Sequence, residues 1–321
     1  MKNTKFPLAD TPPVSVVIST YNRGDSIIGT IQSILLNDYP HFKIIIVDQS
    51  ENDLTETSLQ PFLNNPSIHY IRTAMRGVSI GRNLGIANAE NEFIALTDDD
   101  CETPKNWVSE LANALIVDSR IGIVFGNVLP GPHDHTVGFI PIYVRNNPFL
   151  ARSISEKYRA NGLAACMGLR RSVWQKLNGF DEMLGWIFKG AEDVDFTVRT
   201  LMARYFVYET PKLWVVHHGF RNWKQGLTLI QNYSYGTGAM FAKYLKCGYW
   251  SVARFLLHLT WRWGFGRSQM PDGLLIPAGL GNRPYQLLRL AAFAKGFLAG
   301  VIKPVDRTKG HYVCNGKKTV K

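Results

Sequence analysis

Short apolar runs that lack polar alternation, each ending in a polar cluster and each followed by a helical pattern, constrain the fold of this chain most. Val14 to Ser19 (VSVVIS), Phe42 to Val47 (FKIIIV) and Phe93 to Thr97 (FIALT) are rich in β-branched residues. A run without period-two alternation is what a strand covered on both faces requires. Between them, Asp25 to Leu36 carries Ile27, Ile28, Ile31, Ile34 and Leu35 at helical spacing, with Pro40 to end it, and Val78 to Ala89 carries Ile80, Leu84, Ile86 and Ala87 in the same way. Thr55 to Leu63 reads as a short helix, Ile68 to Ile71 as a short strand and Ile121 to Val128 as a further strand. Thr103-Pro104 predicts a helix start, continuing through Trp107, Leu111 and Leu115. Strands alternating with helices predict the α/β class: a single Rossmann-like, mostly parallel sheet with flanking helices.

Beyond residue 128 the pattern loosens. Pro130 to Asn161 reads as a long connection and is assigned to the acceptor side, since loops of that length inside a compact domain are mostly binding loops. Leu163 to Leu169 predicts a strand, Arg171 to Leu177 a short helix, Val194 to Ala203 a helix, Phe206 to Glu209 a strand, and Val215 to His218 a short edge strand closed by Gly219. The chain is thereby divided into residues 1–128, 129–220 and a basic helical extension, 221–321.

Ligands of such sheets bind beyond the carboxyl ends of the strands, where Thr20-Tyr21-Asn22-Arg23, Asp48 and Asp98-Asp99-Asp100 all fall. In an extended backbone Asp98 and Asp100 point the same way and can share one ion, and such crowding is costly without a cation. Oxygen ligands select Mg2+ or Mn2+, and a nucleoside diphosphate would complete the shell. One of these acids serves equally as a helix cap. Asp48 is placed either to accept from a nucleobase or ribose or to cap a turn, and Arg82 either faces the diphosphate or lies on the surface. Glu192-Asp193 opens a helix after the glycine- and aromatic-rich Gly185 to Gly190, so it either caps that helix or serves as a general base. Of His217 and His218 one faces the crevice; His217 is the choice for completing the metal shell, with simple packing as the other reading.

Five stretches together resemble glycosyltransferase family 2, the inverting enzymes with a GT-A fold: Val14 to Arg23, Ile45 to Asp48, Gly81-Arg-Asn-Leu-Gly85, Phe93 to Asp100 and Gly190-Ala-Glu-Asp-Val-Asp195. Their order and spacing agree over Pro13 to Gly219. The resemblance implies that Asp98 to Asp100 is the metal-binding motif, with Asp100 the direct ligand, and that Asp193 of the Glu192-Asp193 pair is the base. It implies that Thr20, Tyr21, Arg23, Asp48, Arg82, Asp98 and Asp99 line the nucleotide-sugar pocket. Gln49 stands where family members often have a second aspartate. The Gln-x-x-Arg-Trp element of the processive polymerases is not seen, which implies transfer of a single hexosyl or deoxyhexosyl unit. The general look is that of bacterial enzymes building cell-surface or lipid-linked glycans.

The net charge of +11 is concentrated late: Gly248 to Lys321 holds 12 Lys or Arg against Asp272 and Asp306. A basic tail suits a polyanionic partner, and an anionic membrane surface is preferred to nucleic acid, for which no zinc pattern or helix-turn-helix is present. Val252, Phe255, Leu256, Leu259 and Trp263 form an apolar stripe, and Leu287 to Ile302 is apolar but shorter than the roughly 20 residues that cross a bilayer, so lying on a membrane is expected over spanning it. Met1 to Pro13 lacks the apolar core of a secretory signal, and the four cysteines are widely spaced, so a cytoplasmic protein with reduced thiols is expected, peripheral on the inner membrane face. The rival readings are a metal-dependent nucleotidyltransferase, which would need a basic glycine-rich loop that Thr20 to Asp25 does not supply, and a non-enzymatic nucleic-acid binder.

Overall fold

The computed structural model describes residues 11–252 and 283–313. The first half follows the expected alternation: β1 (Val14–Thr20), α1 (Ser26–Leu35), β2 (Phe42–Asp48), α2 (Leu54–Leu63), β3 (Ile68–Arg72), α3 (Val78–Ala87), β4 (Phe93–Asp98), β5 (Cys101–Glu102), α4 (Trp107–Ile116) and β6 (Ile121–Pro130). Then come β7 (Gly138–Phe139), β8 (Phe149–Ala151), β9 (Cys166–Arg170), α5 (Arg171–Lys176), α6 (Glu192–Met202), β10 (Phe206–His217), β11 (Arg221–Asn222), α7 (Trp223–Lys246) and α8 (Arg283–Ile302).

One sheet runs β3-β2-β1-β4-β9-β6-β10-β5, with β8 also on β10. β3, β2, β1 and β4 are parallel, as are β6 and β10, while β9 runs antiparallel between β4 and β6. Both faces are covered, which is why the strands lack alternation: Val14, Val16 and Ile18 pack with Ile27, Ile31 and Ile34 of α1, and Val17 packs with Ile86 of α3 on the other side. Residues 121–217 complete this sheet.

Two local expectations are corrected. The helix expected at Thr103-Pro104 starts at Trp107, with the side chain of Asn37, just past the end of α1, accepting from Val108 N (2.9 Å) and donating to Thr103 Oγ1 (3.1 Å). A side chain distant in sequence does the capping that the threonine was expected to do. Val215 to His218 is no separate edge strand, because β10 runs on from Phe206 to His217 and its end lies between β6 and β5. The register shifts between Glu209 and Trp214, an irregularity that absorbs Pro211 and its missing donor.

The long connection after β6 is fastened to the sheet. β8 pairs with β10, and buried Glu209 accepts from Tyr143 Oη (2.7 Å) and Gly162 N (2.8 Å) while pairing with Arg145 Nε at 2.6 Å.

The helical extension is also anchored. Asn222 and Gln225 form a reciprocal capping box at the start of α7. α8 crosses α7 at glycines, where a Cβ on Gly238 would meet Phe293 O at 2.1 Å and one on Gly296 would overlap Tyr235 O. Lys243 of α7, fully buried, pairs with Asp181 (2.7 Å) and with Asp195 of α6 (2.6 Å), and Arg199 holds the other oxygen of Asp195 at 2.8 Å. α8 has 20 residues, and its Tyr285–Ile302 stretch is long and apolar enough to cross a membrane, so the length argument against spanning does not hold. Beyond Val252, the stripe running to Trp263 lies outside the described residues.

Removing the Lys243 charge takes the cation from buried Asp181 and leaves Asp195 with Arg199 alone, so Lys243→Met should cost about 3–5 kcal/mol of unfolding free energy in urea titration. A loss below about 1 kcal/mol would mean that water already reaches the network.

Candidate active site

The carboxyl ends of β1 and β4, the start of α3 and the end of β10 enclose a crevice of about 810 Å3, lined by Thr20, Tyr21, Arg23, Gln49, Arg82, Asp98, Asp99, Asp100, Trp186, Glu192 and His217 among others. Segments far apart in sequence meet here because the parallel strands deliver their ends to the same edge.

Gly81-Arg-Asn-Leu-Gly85 shows how local sequence builds the site. A Cβ on Gly81 would meet Ser19 Oγ at 2.3 Å and one on Gly85 would meet Val17 Cγ1 at 2.3 Å, so only glycine lets α3 lie this close to β1. That approach carries Arg82 into the crevice, where its two terminal nitrogens meet Asp98 Oδ1 (3.3 Å) and Glu192 Oε1 (3.2 Å). Although burial opposes it, Asp98 and Glu192 hold the guanidinium firmly protonated. Asn83, one residue on, donates to Phe180 O (2.9 Å) and accepts from Phe180 N (2.8 Å) and Trp174 Nε1 (3.0 Å), fixing the chain that leads to Glu192.

The acidic triplet departs from the extended geometry expected of it. β4 ends at Asp98, and Asp99 and Asp100 turn so that Cys101-Glu102 can pair with the end of β10. Asp98 and Asp100 therefore do not share one direction: Asp98 meets Arg82, whereas Asp100 meets Arg23 Nη2 (3.0 Å) and stands 3.2 Å from His217 Nε2. Arg23 Nε also pairs with Asp99 at 3.0 Å. Burial pushes Asp99 up to about 6 against the pull of Arg23; burial also opposes the charge on Asp100, yet its contacts with His217 and Arg23 hold it below the usual carboxylate range.

Pairing of His217 with Cys101 across the β10–β5 ladder decides which histidine faces inward. His217 Nδ1 lies 3.1 Å from Pro141 O, a pure acceptor, so Nδ1 carries hydrogen and Nε2 faces Asp100. Burial opposes protonation of this ring, but Asp100 overrides it and raises its pKa. His218 turns the other way, 3.4 Å from Glu102.

These residues fit a divalent cation. Asp100 Oδ1 is buried and accepts no well-formed hydrogen bond, with His217 Nε2 3.2 Å away, and ligand-type atoms of Asp100, Cys101 and His217 lie within 4.8 Å of one another. Burial keeps the Cys101 thiol protonated, leaving a carboxylate and an imidazole as the fitting donors. Asp98, assigned with Asp100 as a ligand, lies outside that group and is held by Arg82. Gly219 guards the space: a Cβ there would meet His217 Nε2 at 2.4 Å and Asp100 Oδ2 at 3.0 Å.

The other assigned residues divide. Tyr21 donates to Glu51 (2.9 Å) with Arg76 over its ring, and Thr20 lies buried on the crevice wall. Asp48, read as either a nucleotide contact or a turn cap, is fully buried, accepting from Ser50 N (2.9 Å) and Tyr70 Oη (2.7 Å). Gln49 reaches the crevice instead, tied to Met75 O (2.6 Å) and Gly77 O (3.1 Å). Glu192 is pushed up to about 7 by burial and by neighbouring Asp193. Asp193 sits half-buried at the start of α6, its Oδ1 accepting from Val194 N (2.7 Å). Sequence reasoning missed Gly219 as a wall of the ion site and missed Trp186, whose signal was its place in the glycine-rich run before the acidic pair.

The profile of the family described as Glycosyl transferase family 2 matches residues 15–177. An uncharacterised protein, y4gI of Sinorhizobium fredii, is 26% identical over 236 residues, covering 66% of this chain and 25% of that protein. The putative colanic acid biosynthesis glycosyl transferase WcaA of Escherichia coli is 34% identical over 106 residues, 32% of this chain and 37% of that one. The chain thus spans well under half the length of these relatives. Among solved structures, the mannosyltransferase PcManGT of Pyrobaculum calidifontis, in complex with GDP-Man and Mn2+, superposes with a TM-score of 0.58 at 18% identity over 91% of this chain and 76% of that one, a likeness of fold.

Gly219→Ala should weaken Mn2+ binding, followed by electron paramagnetic resonance, by about tenfold or more. In the unchanged chain the Mn2+ affinity should fall as pH drops through the raised His217 pKa, because a proton then holds Nε2. Unaltered affinity in the variant would place the ion elsewhere.

Proposed function

Because this chain belongs to glycosyl transferase family 2, we propose that it transfers a single sugar, with inversion, from a nucleoside-diphosphate sugar to a hydroxyl of a glycan or lipid-linked acceptor. The observation that carries this reading is one crevice with Asp100 and His217 at one end, Glu192 at the other and Arg82 bridging Asp98 to Glu192 between them.

Mg2+ or Mn2+, held by Asp100 and His217 with Asp98 alongside, would supply positive charge to the diphosphate as it departs. Thr20, Tyr21 and Arg23 flank the nucleotide, with Gln49 on the crevice wall and Asp48 behind it, bracing the Ser50 turn. Arg82, already balanced by two carboxylates, turns its charge toward the diphosphate without needing to move. Asp193 is the base: Glu192 is engaged by Arg82, whereas Asp193, the next residue, has one oxygen on the Val194 amide and would offer the other to an acceptor hydroxyl. It takes the hydroxyl proton as that oxygen bonds to the anomeric carbon and the bond to the diphosphate breaks on the opposite face.

The acceptor reading also suggests where the protein works. Leu287, Leu298, Val301 and Ile302 of α8 are exposed, and Lys303, Arg307 and Lys309 follow. An apolar helix face beside a basic cluster suits peripheral attachment to an anionic membrane surface, on the cytoplasmic side.

Asp193→Asn should cut turnover by roughly 100-fold or more while binding of the donor persists. Retention of full transfer in that variant would remove Asp193 from the role. Stripping divalent ions with a chelator should abolish transfer, and a product of retained anomeric configuration, read by proton NMR coupling constants, would overturn the inverting mechanism.

A further inference from the structure

A second concavity, about 430 Å3, lies behind the loop that closes the crevice, between α7 and α8. Among the described residues its walls are Ile187, Tyr235, Leu288 and Ala292 with the amides Gln231 and Asn232 beside them, Lys189 and Lys295 open onto it, and no carboxylate is among them. Two cations beside apolar and amide walls, with no carboxylate among the described lining residues, match a ligand with an anionic head on a hydrocarbon body.

The position gives that chemistry a use. Trp186 lines the catalytic crevice and Ile187, the next residue, lines the groove, so one loop forms a wall of both. Its backbone is held in unusual conformations: Lys189 has φ 57°, Gly190 φ 154° and Ala191 φ 70°, immediately before the Glu192-Asp193 pair. Non-glycine residues in the left-handed region cost about 1 kcal/mol or more each and persist only where their surroundings impose them. Here the imposing contact is α7, since a Cβ on Gly236 would meet Gly190 O at 2.4 Å. The loop is thereby fixed by the same helix that forms the groove.

We propose that this groove binds the lipid part of the acceptor: an isoprenyl or long-chain alkyl phosphate, its phosphate on Lys189 and Lys295 and its chain along Leu288 and Ala292. This rests on the transfer reading above and narrows its acceptor to an amphiphile. A ligand so held has its head beside the Trp186 loop, with the acceptor group leading over it toward Asp193, and its chain running along α8 toward the exposed leucines.

The test is titration of the full chain with farnesyl phosphate below its micellar concentration, followed by tryptophan fluorescence, against farnesol, inorganic phosphate and anionic vesicles. Saturable one-to-one binding is expected for farnesyl phosphate, weakened by about tenfold or more in the Lys189→Ala, Lys295→Ala double variant and in Ala292→Trp. Thermal stabilisation by a nucleoside diphosphate with Mn2+ should be unchanged in both variants, showing that they fold. Equal affinity for farnesol, undiminished binding in both variants, or binding to vesicles alone would each overturn the proposal. Saturable lipid binding in a chain that no nucleoside diphosphate stabilises would support the groove and overturn the transfer reading; the reverse pattern would overturn the groove alone.

Discussion

Crowding of carboxylates sets the terms for this molecule. Asp98, Asp99, Asp100 and Glu192 share one crevice, and all but Asp98 are largely withdrawn from water. Like charges in such a place either bind protons or recruit cations. The chain recruits Arg23 for Asp99 and Asp100, Arg82 for Asp98 and Glu192, and His217 for Asp100. One carboxylate oxygen, Asp100 Oδ1, still accepts no well-formed hydrogen bond, although His217 Nε2 stands 3.2 Å from it. The partial balance suits a ligand that brings its own cation and its own phosphates: the remaining negative charge would hold the ion, and the arginines would face the anion.

The rest of the fold keeps these charges at fixed separation. Glycines at 81 and 85 let α3 approach β1 and so place Arg82, while the β10–β5 ladder places His217 against Asp100. Farther back, Asp195 of α6 is clamped by Lys243 and Arg199, which ties the start of α6 to the C-terminal helices. The acidic pair at Glu192-Asp193 is therefore braced from the sheet through Arg82 and from the extension through α7. An enzyme that depends on ångström-scale alignment between a base and a bound donor gains from such bracing at both ends.

Much of this was legible in the residues. Unalternating strands such as VSVVIS revealed a sheet covered on both faces, and the carboxyl-end rule assembled Thr20, Arg23, Asp98 and Asp100 into one crevice. What escaped depended on contacts distant in sequence. The α4 cap comes from Asn37, about seventy residues away, so no local pattern announced it. The turn at Asp99-Asp100 exists because β5 pairs with β10, and β5, two residues long, is too short for any pattern to announce it. The two strands expected at Phe206 to Glu209 and Val215 to His218 are one, because a register shift between Glu209 and Trp214 carries β10 past Pro211. The burial of Asp195 and Lys243 likewise comes from the packing of α6 against α7, which no local pattern announces.

The central claim is that Asp100 and His217 hold a divalent ion for a nucleoside diphosphate. Anomalous diffraction from crystals grown with Mn2+ and a nucleoside diphosphate addresses it directly. A manganese peak touching the Asp100 carboxylate, His217 Nε2 and the diphosphate oxygens is expected. A diphosphate seated in the crevice with no manganese at those two side chains would contradict it.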